Sequence, residues 1–202
     1  MASIDKIDPD KFLGAYRPSF NIALPGTAQA GLRQLIGFIN ADPTLTDPRC
    51  IAYVLATIKH ECGETWLPIE EWGRGAGHAY GAPVHVTDPD SGATWNVVYD
   101  GRGYVQLTWQ ENYRRFDTRL ALGNRLWLRP DTAMEPDTAW KICSLGMGQG
   151  LFTGKGLNDY IAGPLCDYVG ARRIINGQAR AHLIAGYAHT FEDMLEASAT
   201  GV

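Results

Sequence analysis

The 202-residue sequence predicts an α+β chain, mainly α, with a small β-hairpin lobe. Three observations predict it. Apolar residues recur at helical spacing in several segments that carry start and stop signals. The pattern changes to strand–turn–strand between Trp72 and Gly103. No internal repeat, low-complexity tract or linker divides the chain, so one domain over residues 1–202 is expected.

The clearest helix is DPRCIAYVLATIKHECG. Asp47 stands at the N-cap, Pro48 at the first helical position, and Gly63 can end it. Ile51, Val54, Leu55 and Ile58 form its apolar stripe. An earlier helix is expected from Thr27 to about Asn40, with Leu32, Leu35, Ile36 and Ile39 inward. The stretch TWQENYRRFDTRLALG opens with Thr108 and Glu111 at capping-box spacing. Trp109, Tyr113, Phe116 and Leu120 then share one face, and Gly123 offers a stop. Pro136 starts a helix through about Leu145. The last helix is expected from about Gln178 to Ala197, burying Leu183, Ile184, Tyr187, Phe191, Met194 and Leu195. The hairpin lobe falls at approximately residues 82–100, where APVHVTDPDSGATWNVVYDG reads as two strands around Asp88-Pro89-Asp90-Ser91-Gly92.

A hydrophobic fraction of 45% and a net charge of -4 describe an ordinary globular chain with no basic footprint for nucleic acid or anionic membrane. No apolar run reaches membrane-spanning length, so no membrane insertion is expected. The opening MASIDKIDPDKFLGAY lacks a basic start followed by an apolar core. Synthesis in a cytosol, with any export by a route other than Sec, is the expectation. Cys50 and Cys62 lie on one helix, about 18 Å apart, too far for a disulfide. With no CxxC or His/Cys ligand spacing, all four cysteines read as buried free thiols.

The stretch HECGETWLPIEEWGRG, residues 60–75, concentrates four carboxylates, a histidine and a thiol. It falls short of the HExxH zinc signature, because Glu64 stands where the second histidine should be and Gly63 ends the helix first. Cys62 lies near the apolar stripe and reads as packing rather than as a nucleophile. Glu61, at the edge of that stripe and in the last helical turn, is a carboxyl whose ionisation the helix dipole opposes. Such a group suits the general acid of glycoside hydrolysis, which also needs a second carboxylate; Glu70 and Glu71 follow Pro68. A solvated, charged helix end would explain the same residues without any chemistry.

A second segment, DGRGYVQLTWQENY over residues 100–113, is not a dinucleotide loop, since Gln106 replaces the third glycine of GxGxxG. Together the two segments resemble glycoside hydrolase family 19, the chitinases and related phage endolysins. In that family a helix ends in His-Glu, a β-rich lobe follows, and G-R-G-x-x-Q-L-[ST]-x-x-x-N-Y lines the cleft. This chain supplies His60-Glu61, Gly101-Arg102-Gly103-Tyr104-Val105-Gln106-Leu107-Thr108 and Asn112-Tyr113. RRIINGQ, residues 172–178, is similar to the family's Asn-Gly element.

The resemblance implies a lysozyme-like helical body with its β-hairpin lobe beside a catalytic cleft, and an inverting acid/base mechanism. It implies Glu61 as general acid and Thr108 as the hydroxyl that helps hold the attacking water. Gln106, Asn112, Tyr113 and Asn176 are implied as sugar-binding residues, with no metal or cofactor. The stretch around YGAPVHV, where plant chitinases place their base, has no carboxylate. The shorter spacing of the endolysin branch points to Glu70, with Glu71 as fallback. Glu64 would act on Glu61 by repulsion, and a capping Thr108 could orient water only through its remaining hydrogen-bonding capacity.

The expected activity is cleavage of β-1,4 bonds between N-acetylhexosamines. The expected partner is the glycan strand of peptidoglycan, and the expected state a monomer. The expected setting is synthesis in the cytoplasm of a host bacterium and release to the wall through a holin-type pore. The alternatives are a chitinase of the same family and a non-catalytic cell-wall glycan-binding protein.

Overall fold

The computed structural model describes residues 6–200. In chain order the elements begin with β1 (Lys6–Ile7), α1 (Pro9–Phe20), α2 (Gly26–Ala41) and α3 (Pro48–Glu61). Next come β2 (Ile69–Glu70), β3 (Val84–Thr87), β4 (Thr94–Val97) and β5 (Arg102–Gly103). Helices α4 (Gln110–Arg119), α5 (Arg125–Leu128) and α6 (Pro136–Gln149) follow. The chain closes with β6 (Ile161–Ala162), β7 (Leu165–Cys166), α7 (Ala181–Ser198) and β8 (Ala199–Thr200). It divides into two compact units, one of residues 1–67 with 144–202 and one of residues 68–143.

The first unit is built on α3. Asp47 caps it by accepting from the Arg49 backbone N–H, and Pro48 opens it; such a cap stabilises by about 1 kcal/mol. Residues Cys50 to Lys59 are all buried, so α3 is enclosed on every side rather than along one stripe. Its main partner is α7. There Ile184, Phe191, Met194 and Leu195 turn inward as expected, whereas Leu183 is 42% exposed. The buried row of α7 runs through Ala181, Ile184, Ala185 and Ala188 at helical spacing, and Leu183 falls outside it. Helix α1, which the sequence reading missed, repeats the start of α3: Asp8 caps it and Pro9 opens it. The chain ends are tied by β1 and β8, which pair antiparallel.

Lys59 is buried beneath this core. Its Nζ donates to the Tyr16 hydroxyl at 2.9 Å and to Glu64 Oε1 at 2.5 Å, and it faces the rings of Tyr16, Phe20 and Tyr187. Burial pushes the Lys59 ammonium below its ordinary pKa, while Glu64 opposes that shift. Glu64 is therefore committed to an ion pair with Lys59. Three cysteines are buried, as expected, whereas Cys166, on the exposed strand β7, is itself exposed.

In the second unit, β3 and β4 form the expected hairpin, with Val84 opposite Val97 and Thr87 opposite Thr94. Strands β2 and β5 pair separately, setting Ile69 against Gly103 and Glu70 against Arg102. Helix α4 begins one residue later than its sequence implies. Trp109 occupies the N-cap position with no side-chain cap, so Thr108 and Glu111 form no capping box. Helix α6 continues to Gln149, past the Leu145 expected. Among the described residues, no helix is long and apolar enough to cross a membrane.

Candidate functional site

In the first unit, Glu61 is the last residue of α3. Its side chain is 16% exposed, and its Oε1 accepts from Arg172 Nη1 at 2.7 Å. Arg172 is buried and donates a second bond, from Nε to the Ala179 carbonyl at 3.2 Å. The guanidinium is thereby fixed from both ends and sets the direction of the Glu61 carboxyl. Nothing within RRIINGQ singles Arg172 out. The two residues are 111 positions apart, and no local spacing signals such a pair.

Asn176 follows in the same segment, exposed, with its Oδ1 accepting from the Gly177 N–H. His60, expected on the polar side of α3, is half-buried. Desolvation pushes its imidazole pKa down, with Glu61 opposing the shift and Arg172 and Arg180 adding to it.

The second unit holds the other carboxylates on adjacent residues that face different partners. Glu70 is paired through Oε1 with Arg102 Nη2 at 3.0 Å and through Oε2 with Arg74 Nε at 3.2 Å. Arg102 also meets Asp131 and donates to the Val98 carbonyl. Its Nη1 lies 2.8 Å from Asp100 Oδ1, a charge contact rather than an aligned hydrogen bond. Asp100 is fully buried, and its carboxyl is pushed above the ordinary range chiefly by burial, against the pull of Arg102.

Glu71 has only neutral donors. Its Oε1 accepts from the Tyr80 hydroxyl at 2.9 Å, and its Oε2 from the Gly101 N–H at 3.0 Å. A Cβ on Gly101 would lie 2.7 Å from Gln106 Oε1 and 3.3 Å from Glu71 Oε2, so a side chain there would displace the Gln106 amide.

Gln106, in the left-handed region at φ 55°, donates to the carbonyls of Ile69 and Gly103 and so ties the β2–β5 ribbon together. The Thr108 hydroxyl makes no protein hydrogen bond among the described residues, which leaves all its capacity for water or a ligand. Asn112 donates to the Thr108 carbonyl at 2.9 Å, fixing that loop. Tyr113, read from the sequence as a sugar contact, is wholly buried, and its hydroxyl donates to the Asp100 carbonyl. Its position on the inward face of α4 makes it a core residue, out of a sugar's reach.

No protein-family model matches the chain, and neither does any curated protein. Solved structures do. The fold is similar to chitinase C from Streptomyces griseus HUT6037, with a TM-score of 0.52 at 20% identity over 96% of this chain and 95% of that one. It is also similar to a point mutant of chitinase C, at TM-score 0.51 and 19% identity over the same shares. The mainly helical α+β fold with a small β-hairpin, expected from the sequence, is thus a chitinase-like fold.

Proposed function

We propose that the chain is an inverting glycoside hydrolase acting on polymers of β-1,4-linked N-acetylhexosamines. The observation that carries this reading is Glu61: a carboxyl held at a helix end by a buried arginine, at the His-Glu position of the family motif, in a chain of chitinase-like fold. In this account Glu61 protonates the glycosidic oxygen, and a second carboxylate activates water for attack on the anomeric carbon. Thr108, with its hydroxyl uncommitted, helps orient that water.

For the base, the environments of Glu70 and Glu71 favour the residue that the sequence ranked second. A base must hold a water, and both oxygens of Glu70 are already taken by guanidiniums. Glu71, bonded only by a phenol and an amide, keeps lone pairs for water. We therefore place Glu71 in that role, with Glu70 anchoring Arg102.

Chitin leads as substrate, because the solved structures of similar fold are chitinases. Peptidoglycan is the second reading, favoured by the short spacing from Glu61 to the Glu70-Glu71 pair that marks the endolysin branch. Release of soluble sugar from colloidal chitin, set beside turbidity loss of purified sacculi, separates the two. Chitin release without loss of turbidity supports the first and the converse supports the second. Activity on neither, or activity that survives Glu61→Gln, overturns the proposal. A non-catalytic glycan-binding protein would bind both polymers and hydrolyse neither.

A further inference from the structure

Within the second unit, three aromatic side chains form a ladder beside Glu71. The His78 ring stacks on Tyr80 with centroids 5.0 Å apart and planes within 4°. The Tyr80 ring meets Trp109 edge-on at 5.6 Å and 74°. Tyr80 spends its hydroxyl on Glu71. The ladder is therefore wired to one carboxylate at its centre and ends in an indole that is 45% exposed.

Neither folding nor packing accounts for Trp109. Its φ is 70°, a positive value at which a non-glycine residue is strained. Glycine would hold that turn at less cost, and a tryptophan so exposed contributes only part of its burial. The conformation is nonetheless pinned. The Trp109 N–H donates to the Tyr99 carbonyl at 3.0 Å, and its own carbonyl accepts from the N–H groups of Asn112 and Tyr113. The loop that carries His78 and Tyr80 is equally fixed. A Cβ on Gly81 would lie 2.0 Å from the Gly75 carbonyl oxygen, so the loop closes on itself backbone to backbone. A nearly half-exposed indole is thus presented from a pinned backbone, at a cost in strain, beside an anionic hydrogen-bond acceptor.

We infer that Trp109, backed by Tyr80 and His78, is a stacking platform for one pyranose ring of a β-1,4-linked N-acetylhexosamine chain. The inference rests on the glycosidase reading and names a subsite for it. In such sugars the ring substituents are equatorial and the axial C–H bonds form an apolar face. That face packs flat on an indole, whose electron-rich surface attracts those C–H groups. The equatorial hydroxyls and acetamido group point outward in the ring plane, where polar neighbours can meet them. A flat, neutral, uncharged platform suits a neutral sugar and offers nothing to an anion.

The test is calorimetric titration of tetra-N-acetylchitotetraose into the full chain carrying Glu61→Gln, which prevents turnover. Trp109→Leu in that background is expected to weaken binding at least tenfold, with Trp109→Phe falling between. In the otherwise unaltered chain, Trp109→Leu is expected to raise KM by a similar factor, with most of the loss in KM rather than kcat. Tyr80→Phe keeps the ladder but frees Glu71, so it should hold the affinity within about threefold while lowering kcat. Unchanged affinity in a Trp109→Leu protein that melts like its parent overturns the platform and leaves the glycosidase reading standing. Hydrolysis by Glu61→Gln at the parent rate overturns the glycosidase reading instead. Affinity lost equally in Trp109→Leu and Trp109→Phe, with lowered melting temperature in both, would assign Trp109 to folding and also overturn the platform.

Discussion

In each unit of the molecule a nearly buried arginine grips a glutamate, yet the two pairs are built for different ends. Arg172, 4% exposed, touches Glu61 through one carboxyl oxygen and spends its other bond on a backbone carbonyl. The second oxygen of Glu61 is left uncommitted by that contact. Arg102, 7% exposed, serves Glu70, Asp100, Asp131 and the Val98 carbonyl together, and Glu70 is held at both oxygens. The first pair orients a group that can still react. The second is a structural knot that joins β2 to β5. An arginine–carboxylate contact thus says little about chemistry until the remaining lone pairs are counted.

The comparison can be broken most forcefully at Glu61. Glu61→Gln should lower hydrolysis of chitooligosaccharides by about a thousandfold or more, since it removes the proton donor. Melting temperature should change little, because glutamine can still accept from Arg172. Next comes the pair on β2 and its neighbour. Glu71→Gln should cost about a hundredfold in kcat with little effect on stability. Glu70→Gln should instead destabilise by about 1–3 kcal/mol, because both its oxygens are held by guanidiniums and the new amide nitrogen must face one of them. Steady-state kinetics and urea unfolding on both variants check this, and the reverse pattern would restore Glu70 as the base.

A smaller effect is expected at His60. Desolvation holds its folded-state pKa below the ordinary value of 6.5. Neutral His60 is therefore at no disadvantage above that pH. Its contribution to stability is lost as pH falls from about 6.5 through the folded value, because the unfolded chain then binds the extra proton. Thermal melts at descending pH should show a decline over that window that His60→Gln flattens. The smallest perturbation is chemical. Cys166 is exposed and the other three cysteines are buried, so a thiol reagent should label one site quickly in the native protein and four after unfolding.

Much of this was legible in the sequence, for identifiable reasons. The Asp47-Pro48 cap and the strand–turn–strand around Asp88 are local signals, and local geometry obeyed them. The same Asp-Pro signal at Asp8-Pro9 was equally readable, though its helix was overlooked. Periodicity misjudged α3, since a helix buried all round has no polar face to reveal. The Thr108-Glu111 spacing misled because a left-handed Trp109 delays the helix. What lay beyond reach was long-range. The pairing of Arg172 with Glu61, of Lys59 with Tyr16, and of Tyr80 with Glu71 is decided by packing, to which spacing along the chain is blind.

Inverting hydrolysis driven by Glu61 is tested most sharply by proton NMR of tetra-N-acetylchitotetraose during turnover. The newly formed reducing end should appear first as the α-anomer, and Glu61→Gln should yield no product on the same timescale. A β-anomer as first product, or product formed by Glu61→Gln at the parent rate, would contradict it.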